Sequence, residues 1–234
     1  HPQSYRANYA FSVPFGGHTY SGRLDNLIDF EVYFYGAYAK PELKLFEDIL
    51  SDRHAAVVWD IGANVGHHSL FLASLASRVI AFEPYPPVAE CFEQRMRDNK
   101  IRNIQLNRVG LSDQRQMLPF HKPPNNNMGV GCFENNGKTR SSNENASLML
   151  SLIRAKESGL TGLDFVKIDV EGHEPQVLMG MVKTIKRYRP AIFMEWSDAT
   201  NKNFSYSELI SLLPGDYQVF QFLDRTPFIF FFEI

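Results

Sequence analysis

Short apolar runs alternate along the chain with stretches whose apolar residues recur every third or fourth position. Val57-Val58-Trp59-Asp60 has the continuous apolar character of a strand buried on both faces, as do Val79–Glu83, Ile104–Gly110, Phe165–Asp169 and Ala191–Trp196. Helical spacing fills the intervals. Pro41 opens a helix with Leu43, Leu45, Phe46, Ile49 and Leu50 on one face, and a second helix runs from Gly66 to about Ala76 with Leu70, Phe71 and Leu75. Pro84, Pro86 and Pro87 lead into a third, where Val88, Phe92 and Met96 share a side, and Pro175 begins a fourth, where Val177, Leu178, Met181, Val182 and Ile185 align. Proline suits a first helical turn because the N–H there has no intrahelical partner to lose. Lys183, Lys186 and Arg187 stand at the end of the fourth helix, where the dipole favours cations. Ser207–Leu213 reads as a short helix stopped by Pro214-Gly215, and Tyr217–Leu223 with Phe228–Ile234 as a closing hairpin.

This alternation predicts an α/β fold: a mostly parallel sheet with helices on both faces and ligands at the carboxyl ends of the strands. Residues 1–234 form one domain without internal repeats. Residues 1–40 are an aromatic, glycine-containing flap or hairpin in which Val13–Gly17 turns and Asp29–Tyr35 extends as a strand. Residues 119–147 are a polar insertion after the third sheet strand, with Pro123-Pro124 and Asn125-Asn126-Asn127. A stretch of that length and polarity inside a domain is either functional, as a lid or specificity loop, or without a role. Short strands are expected around Leu118–His121 and Gly129–Phe133, and a helix over Ala146–Glu157.

Composition narrows the partners. The 24 basic and 26 acidic side chains give a net charge of −2, which advertises no nucleic acid or other polyanion. Two cysteines without metal-ligand spacing fit a reducing, cytoplasmic setting. No run reaches the roughly 18 apolar residues of a membrane span. The chain opens on His1 rather than methionine, so a preceding segment is open, and nothing fixes the oligomeric state.

Asp60, Glu83, Asp169 and Glu195 all fall at strand ends, where a shared site is expected. Asp60 leads into a turn of Gly62, Ala63, Asn64 and Gly66, just before a helix N-terminus. Glycines allow close backbone approach to a ligand, and the first N–H groups of a helix attract polar groups. Glu83 lies about twenty residues further on, where an acid accepts hydrogen bonds from ribose hydroxyls. That much fits a dinucleotide or S-adenosylmethionine. Two glycines instead of three, and a carboxylate that would repel a pyrophosphate, favour the sulfonium cofactor.

DIGANVG (Asp60–Gly66), AFEP (Ala81–Pro84), VGLSD (Val109–Asp113) and FVKIDVEGHEPQVLMG (Phe165–Gly180) together resemble the FkbM family of S-adenosylmethionine-dependent methyltransferases, in order and spacing, over roughly residues 35–200. KIDVEG is the most specific part. The resemblance implies the class I methyltransferase fold, a Rossmann-like seven-stranded sheet with its last strand antiparallel, and methyl transfer to a hydroxyl of a sugar or other small natural product. It implies that Asp60, Gly62, Ala63, Asn64 and Gly66 hold the methionyl part, that Glu83 with Pro84 clamps the ribose, and that Gly110, Leu111 and Ser112 border the adenine. Asp169 would face the sulfonium and the acceptor, and Tyr38 of Gly36-Ala37-Tyr38 would lie near the cofactor.

An alcohol acceptor needs its proton removed, and Asp169, Glu171, His173 and Glu195 are the candidate bases. His173 has the most suitable intrinsic pKa, although the family position often carries a residue that does not titrate; the plainer reading is a partly exposed first-turn histidine. Glu171 either anchors substrate or caps the next helix. Asp169, Glu171 and Glu195 are also a weak candidate set for Mg²⁺ or Ca²⁺. Adjacent His67 and His68 point different ways on a helix and read as its solvated start, with the alternative that one borders the cofactor. Competing functions remain at this stage: methylation of nucleic acid or protein, a non-catalytic cofactor-binding domain, and a nicotinamide dehydrogenase.

Overall fold

Strand β3 (Val57–Ile61) lies inside a seven-stranded sheet, and the chain builds outward from it in both directions. The structure is a computed structural model, and it describes residues 9–53, 55–121, 132–133, 148–153, 155, 161–197, 200, 204–223 and 227–232. Ahead of β3 come a hairpin, β1 (Ala10–Phe15) and β2 (His18–Arg23), and two helices, α1 (Leu27–Tyr35) and α2 (Lys40–Leu50). After it come α3 (His67–Ala73), β4 (Arg78–Phe82), α4 (Pro86–Asp98), β5 (Ile104–Asn107), β6 (Gly110–Leu111), β7 (Gln116–His121), β8 (Cys132–Phe133) and β9 (Leu148–Ile153). The chain then returns through β10 (Phe165–Ile168), α5 (Glu174–Tyr188), β11 (Ala191–Glu195), α6 (Tyr206–Leu212), β12 (Gln218–Leu223) and β13 (Pro227–Phe232).

The main sheet has the order β12-β13-β11-β10-β3-β4-β5. Its five strands from β11 to β5 are parallel, and β13 runs antiparallel to both β11 and β12. The chain leaves β3 towards β4 and β5, then comes back to β10 on the other side. A crevice therefore opens between the carboxyl ends of β3 and β10, where the winding direction reverses. The strands do not all join this sheet: β1-β2 stands apart, and β6-β9-β7-β8 forms a separate four-stranded sheet.

Two cores sandwich the main sheet. Val58, Val79, Phe165 and Phe193 pack with Val32, Phe46, Leu70 and Phe92 of α1 to α4 and with Phe15 and Tyr20 of the hairpin. Trp59, Ile80, Phe82, Val166 and Met194 pack with Val177, Leu178 and Met181 of α5 and Leu209 of α6. Removing each of these fully buried large side chains from water contributes roughly 1.5–3 kcal/mol.

Three expectations need correction. Asp29–Tyr35 is part of helix α1, not a strand. Asn26 caps it, its side chain accepting from the N–H of Ile28 and Asp29, and Gly36 ends it at φ 82°. The helical pattern is concealed because its buried stripe contains an acid, Asp29, beside Val32. Ile104–Gly110 divides into β5 and β6, which belong to different sheets. Over Ala146–Glu157 the described core is strand β9, paired with β6 and β7; an apolar run of this kind is decided by its neighbours, not by its own periodicity. Most of the polar insertion lies outside the described residues, apart from β8 and the end of β7.

Candidate active site

The turn after β3 is wedged between two elements. Gly62 has φ 77°, and a Cβ there would stand 1.8 Å from the carbonyl oxygen of Asp169. Gly66 has φ 84°, and a Cβ there would meet the Phe92 ring of α4 at 2.1 Å. Both the backbone conformation and the space exclude a side chain. The N–H groups of Gly62 and Ala63 donate to Phe82 O, each at 3.0 Å, fastening the turn to the end of β4.

Glu83 follows that end directly. Its Oε2 accepts from Asn64 N at 3.0 Å and its Oε1 from Tyr85 N at 2.8 Å. Burial pushes its carboxyl up to about 7, against the downward pull of those two backbone bonds.

Behind the turn lies a buried cation that the sequence reading passed over. The Lys167 ammonium is 3.4 Å from Asp60 Oδ1 and 3.3 Å from Asp169 Oδ2, and it donates to Gly62 O at 3.0 Å. Burial pulls its pKa down, but Asp169 and Asp60 more than offset this and leave it above the ordinary lysine value. Asp60 is fully buried, and its other oxygen accepts from Ser69 Oγ at 2.6 Å.

Two cavities flank this arrangement. The first runs from Gly62 and Asn64 past Glu83, Pro84 and Tyr85 to Gly110, Leu111 and Phe120, and is also lined by Asp169, Glu171 and His173. Tyr85 and Phe120 pack there with ring centroids 5.2 Å apart. The second is lined by Leu27, Ile28, Tyr38, Ala63, His67, His68 and Lys167. Gly62, Asn64, Asp169 and Glu171 form a wall common to both.

Of the residues singled out from sequence, Gly62, Ala63, Asn64, Glu83, Pro84, Gly110, Leu111, Asp169, Glu171, His173 and Tyr38 line one cavity or both. Asp60, Gly66, Ser112 and Glu195 line neither. Asp60 reaches the crevice only through Lys167, Gly66 packs on Phe92, and Ser112 points at His173. Glu195 sits behind Asp169: burial first, then the charges of Asp169, Glu171 and Glu174, push its carboxyl up to about 9, so it carries a proton at neutral pH.

The histidines differ from expectation. His173 is buried at the N-terminal end of α5, with Nε2 3.0 Å from Ser112 Oγ, and burial lowers it to about 4. His67 and His68 are buried in the second cavity's wall, not solvated. His67 Nε2 accepts from Tyr38 N at 3.3 Å, and His68 Nε2 lies 3.4 Å from Glu42 Oε2. Burial holds His67 neutral, which is consistent with that acceptor role.

Three further residues escaped the sequence reading. Tyr85 and Phe120 wall the first cavity, and Phe120 arrives from β7, far along the chain. Glu174 Oε1 accepts from Val170 N at 3.0 Å and Gly172 N at 3.1 Å, and its Oε2 from Thr200 Oγ1 at 2.8 Å, which shapes the loop carrying Glu171. An acid beginning a helix just after a glycine was the available signal. Among the described residues, no three His, Cys, Asp or Glu side chains converge as a metal site. No helix among them is long and apolar enough to cross a membrane.

The sequence profile of the methyltransferase FkbM domain matches residues 60–223. Hexuronic acid methyltransferase AglP of Haloferax volcanii is 31% identical over 137 residues, which is 56% of this chain and 52% of that protein. The 2-O-methyltransferase NoeI of Sinorhizobium fredii is 26% identical over 200 residues, 77% of this chain and 81% of that one. The crystal structure of methyltransferase FkbM from Methylobacillus flagellatus superimposes with a TM-score of 0.57 at 17% identity, over 76% of this chain and 44% of that chain. The chain thus spans about half the length of the Haloferax and Methylobacillus proteins. Resting on a profile match that takes in the glycine turn, Glu83 and the Lys167–Glu171 segment, the conclusion is that this chain belongs to the methyltransferase FkbM domain family.

Proposed function

We propose that the chain is an S-adenosylmethionine-dependent O-methyltransferase whose acceptor is a hydroxyl of a sugar, glycan or other small natural product. The observation that carries this reading is the wall of Gly62, Asn64, Asp169 and Glu171, where two cavities meet beside a buried ribose-type acid. The names of AglP and NoeI support the acceptor class. The strand order, with β13 antiparallel, supports reading the main sheet as that of a class I methyltransferase. We take the chain as one working unit, in which residues before 40 roof the second cavity through Leu27, Ile28 and Tyr38.

The residues present fit the cofactor. Gly62 lets the turn close onto the Asp169 carbonyl and still line the cavity with backbone, Glu83 offers its remaining lone pairs to ribose hydroxyls, and Tyr85, Val88, Leu111 and Phe120 offer an apolar surface to the base. Ala63, Asn64 and Tyr38 would hold the methionyl part. When bound, the cofactor supplies an electrophilic methyl group on a cationic sulfur.

The protein aligns and deprotonates. Asp169 and Glu171 stand on the common wall, where a carboxylate would accept the proton of the acceptor's hydroxyl as that oxygen takes the methyl group the cofactor would supply. Glu195, its carboxyl pushed up by burial and by the neighbouring acids, hydrogen-bonds Asp169 from outside both cavities. His173, held against Ser112 and neutral, positions the loop and is not the base.

Scanning fluorimetry with saturating S-adenosylhomocysteine tests the binding step. At about 100 times Kd a ligand stabilises by about 2.7 kcal/mol, a rise of roughly 5–10 °C for a domain of this size. An unchanged melting temperature overturns the proposal. A panel of free sugars, glycosides and polyols, scanned by mass spectrometry for added methyl groups, then tests the acceptor.

A further inference from the structure

Lys167 lies in the middle of a parallel strand, pairing in register with Asp60 of β3 and Phe193 of β11. Its side chain is 2% exposed. A buried ammonium is costly unless it is paired and its donors are used. Here the ammonium donates to Gly62 O in the turn and lies at ion-pair distance from two carboxylates on other segments, Asp60 Oδ1 at 3.4 Å near the end of β3 and Asp169 Oδ2 at 3.3 Å just after β10.

Neutralising Asp60 alone would need only the Asp60 contact. The other two oxygens belong to the wall common to both cavities. On the opposite side, the Asp169 carbonyl sits where a Cβ of Gly62 would be. The turn and the end of β10 are therefore held on one side by backbone contact and on the other by the ammonium. Asp169 is 31% exposed in its side chain, and its carboxylate has two ties, the Lys167 ammonium and a hydrogen bond with Glu195, of which only the first also reaches the glycine turn.

We infer that Lys167 is a positioning residue for the cofactor site: its ammonium fixes the Gly62 carbonyl and the Asp169 carboxylate relative to each other, and so sets the surface on which the sulfur end of the cofactor rests. This rests on the cofactor reading above. Lys167 touches neither cofactor base nor ribose in that reading; it acts through Gly62 and Asp169.

The test separates positioning from charge neutralisation. Melting temperature and S-adenosylhomocysteine affinity by calorimetry are measured for the wild type, Lys167→Met, and Lys167→Met with Asp60→Asn. Lys167→Met leaves Asp60 buried without its cation, and its melting temperature drops. The double variant removes that charge and recovers most of the drop. The affinity falls at least tenfold in Lys167→Met and stays down in the double variant. Lys167→Leu with Asp60→Asn likewise removes the donor and gives the same comparison should the methionine pair fail to fold. Recovery of affinity to within twofold of wild type, together with the melting temperature, overturns the inference and leaves the cofactor reading standing. A wild-type protein that does not bind S-adenosylhomocysteine overturns the cofactor reading itself.

Discussion

His173 Nε2 lies 3.0 Å from Ser112 Oγ, and Ser112 Oγ in turn donates to Asp113 Oδ1 at 3.0 Å, so the histidine at the head of α5 is tied to the segment after β6. Burial holds the imidazole near 4, well below its ordinary 6.5. Above pH 6.5 it is neutral both folded and unfolded, and pH has no effect through it. Between 6.5 and 4 the unfolded chain takes up a proton that the folded protein refuses, so stability falls as pH falls. The loss from this group is complete below 4 and amounts to about 3 kcal/mol. His173→Gln removes that part of the acid sensitivity. Urea melts at pH 7, 5.5 and 4.5 should therefore diverge between wild type and variant at low pH, and parallel curves would count against a buried neutral histidine.

Glu83 has the opposite sign. Its carboxyl, pushed up to about 7, binds a proton in the folded protein between pH 4.5 and 7 that the unfolded chain has released. The free protein therefore loses stability as pH rises through that window. In the proposed cofactor site ribose hydroxyls would donate to the ionised form, and cofactor binding would expel the proton. S-adenosylhomocysteine affinity should rise from pH 6 to 8, with proton release detectable as a buffer-dependent heat at pH 6. Glu83→Gln should bind roughly 10–100-fold more weakly, the range of a hydrogen bond to a charged group, and without the pH trend.

The elements that the sequence displays are those whose information is local. Strand β3, the Gly62–Gly66 turn and Glu83 lie within one strand-turn-helix-strand unit, and their spacing alone points to a ribose clamp. Lys167 was not legible because a lysine inside an apolar run has meaning only once the β3–β10 register sets it beside Asp60. Phe120 and Ser112 reach the site through the small four-stranded sheet, whose pairing no periodicity announces. Helix α1 is not legible in the sequence because its inward face carries Asp29, whose partners, Tyr20 and Arg95, come from β2 and α4.

That Arg95 is a further point of prediction. Its guanidinium lies 2.8 Å from Asp29 Oδ1, donates to Val65 O at 2.7 Å and Ser21 O at 3.0 Å, and covers the Tyr20 ring at 4.1 Å. It joins the N-terminal hairpin and α1 to the glycine turn. Arg95→Met leaves the Asp29 carboxylate buried and uncompensated, a loss of about 3–5 kcal/mol, or roughly 6–20 °C in Tm. Adding Asp29→Asn should return part of it. Calorimetric melts of the two variants check this, and a drop of less than 2 kcal/mol would mean that the cluster is hydrated when the arginine is absent.

Gly62 and Gly66 share a positive φ but differ in what surrounds them, and that difference decides what alanine does at each. At Gly66 the obstacle is the Phe92 ring, a side chain, and the added methyl competes with it for core space. Gly66→Ala pays for backbone strain of about 1–2 kcal/mol plus a displaced ring, and trimming the ring with Phe92→Leu should recover some of the stability. At Gly62 the obstacle is the Asp169 carbonyl, backbone of the neighbouring strand end, which cannot turn aside. Gly62→Ala must push the turn away from β10, carrying with it the carbonyl that Lys167 holds. S-adenosylhomocysteine binding should be abolished by Gly62→Ala even where the protein still folds, whereas Gly66→Ala loses stability first and binding second. Gly215→Ala, with nothing within 4 Å of its Cβ, serves as the control for handling and should leave both unchanged. Calorimetry and melting curves on the three variants separate these cases; equal loss of binding at Gly62 and Gly66 would mean that the turn moves as one piece and that contact with β10 is not what shapes the site.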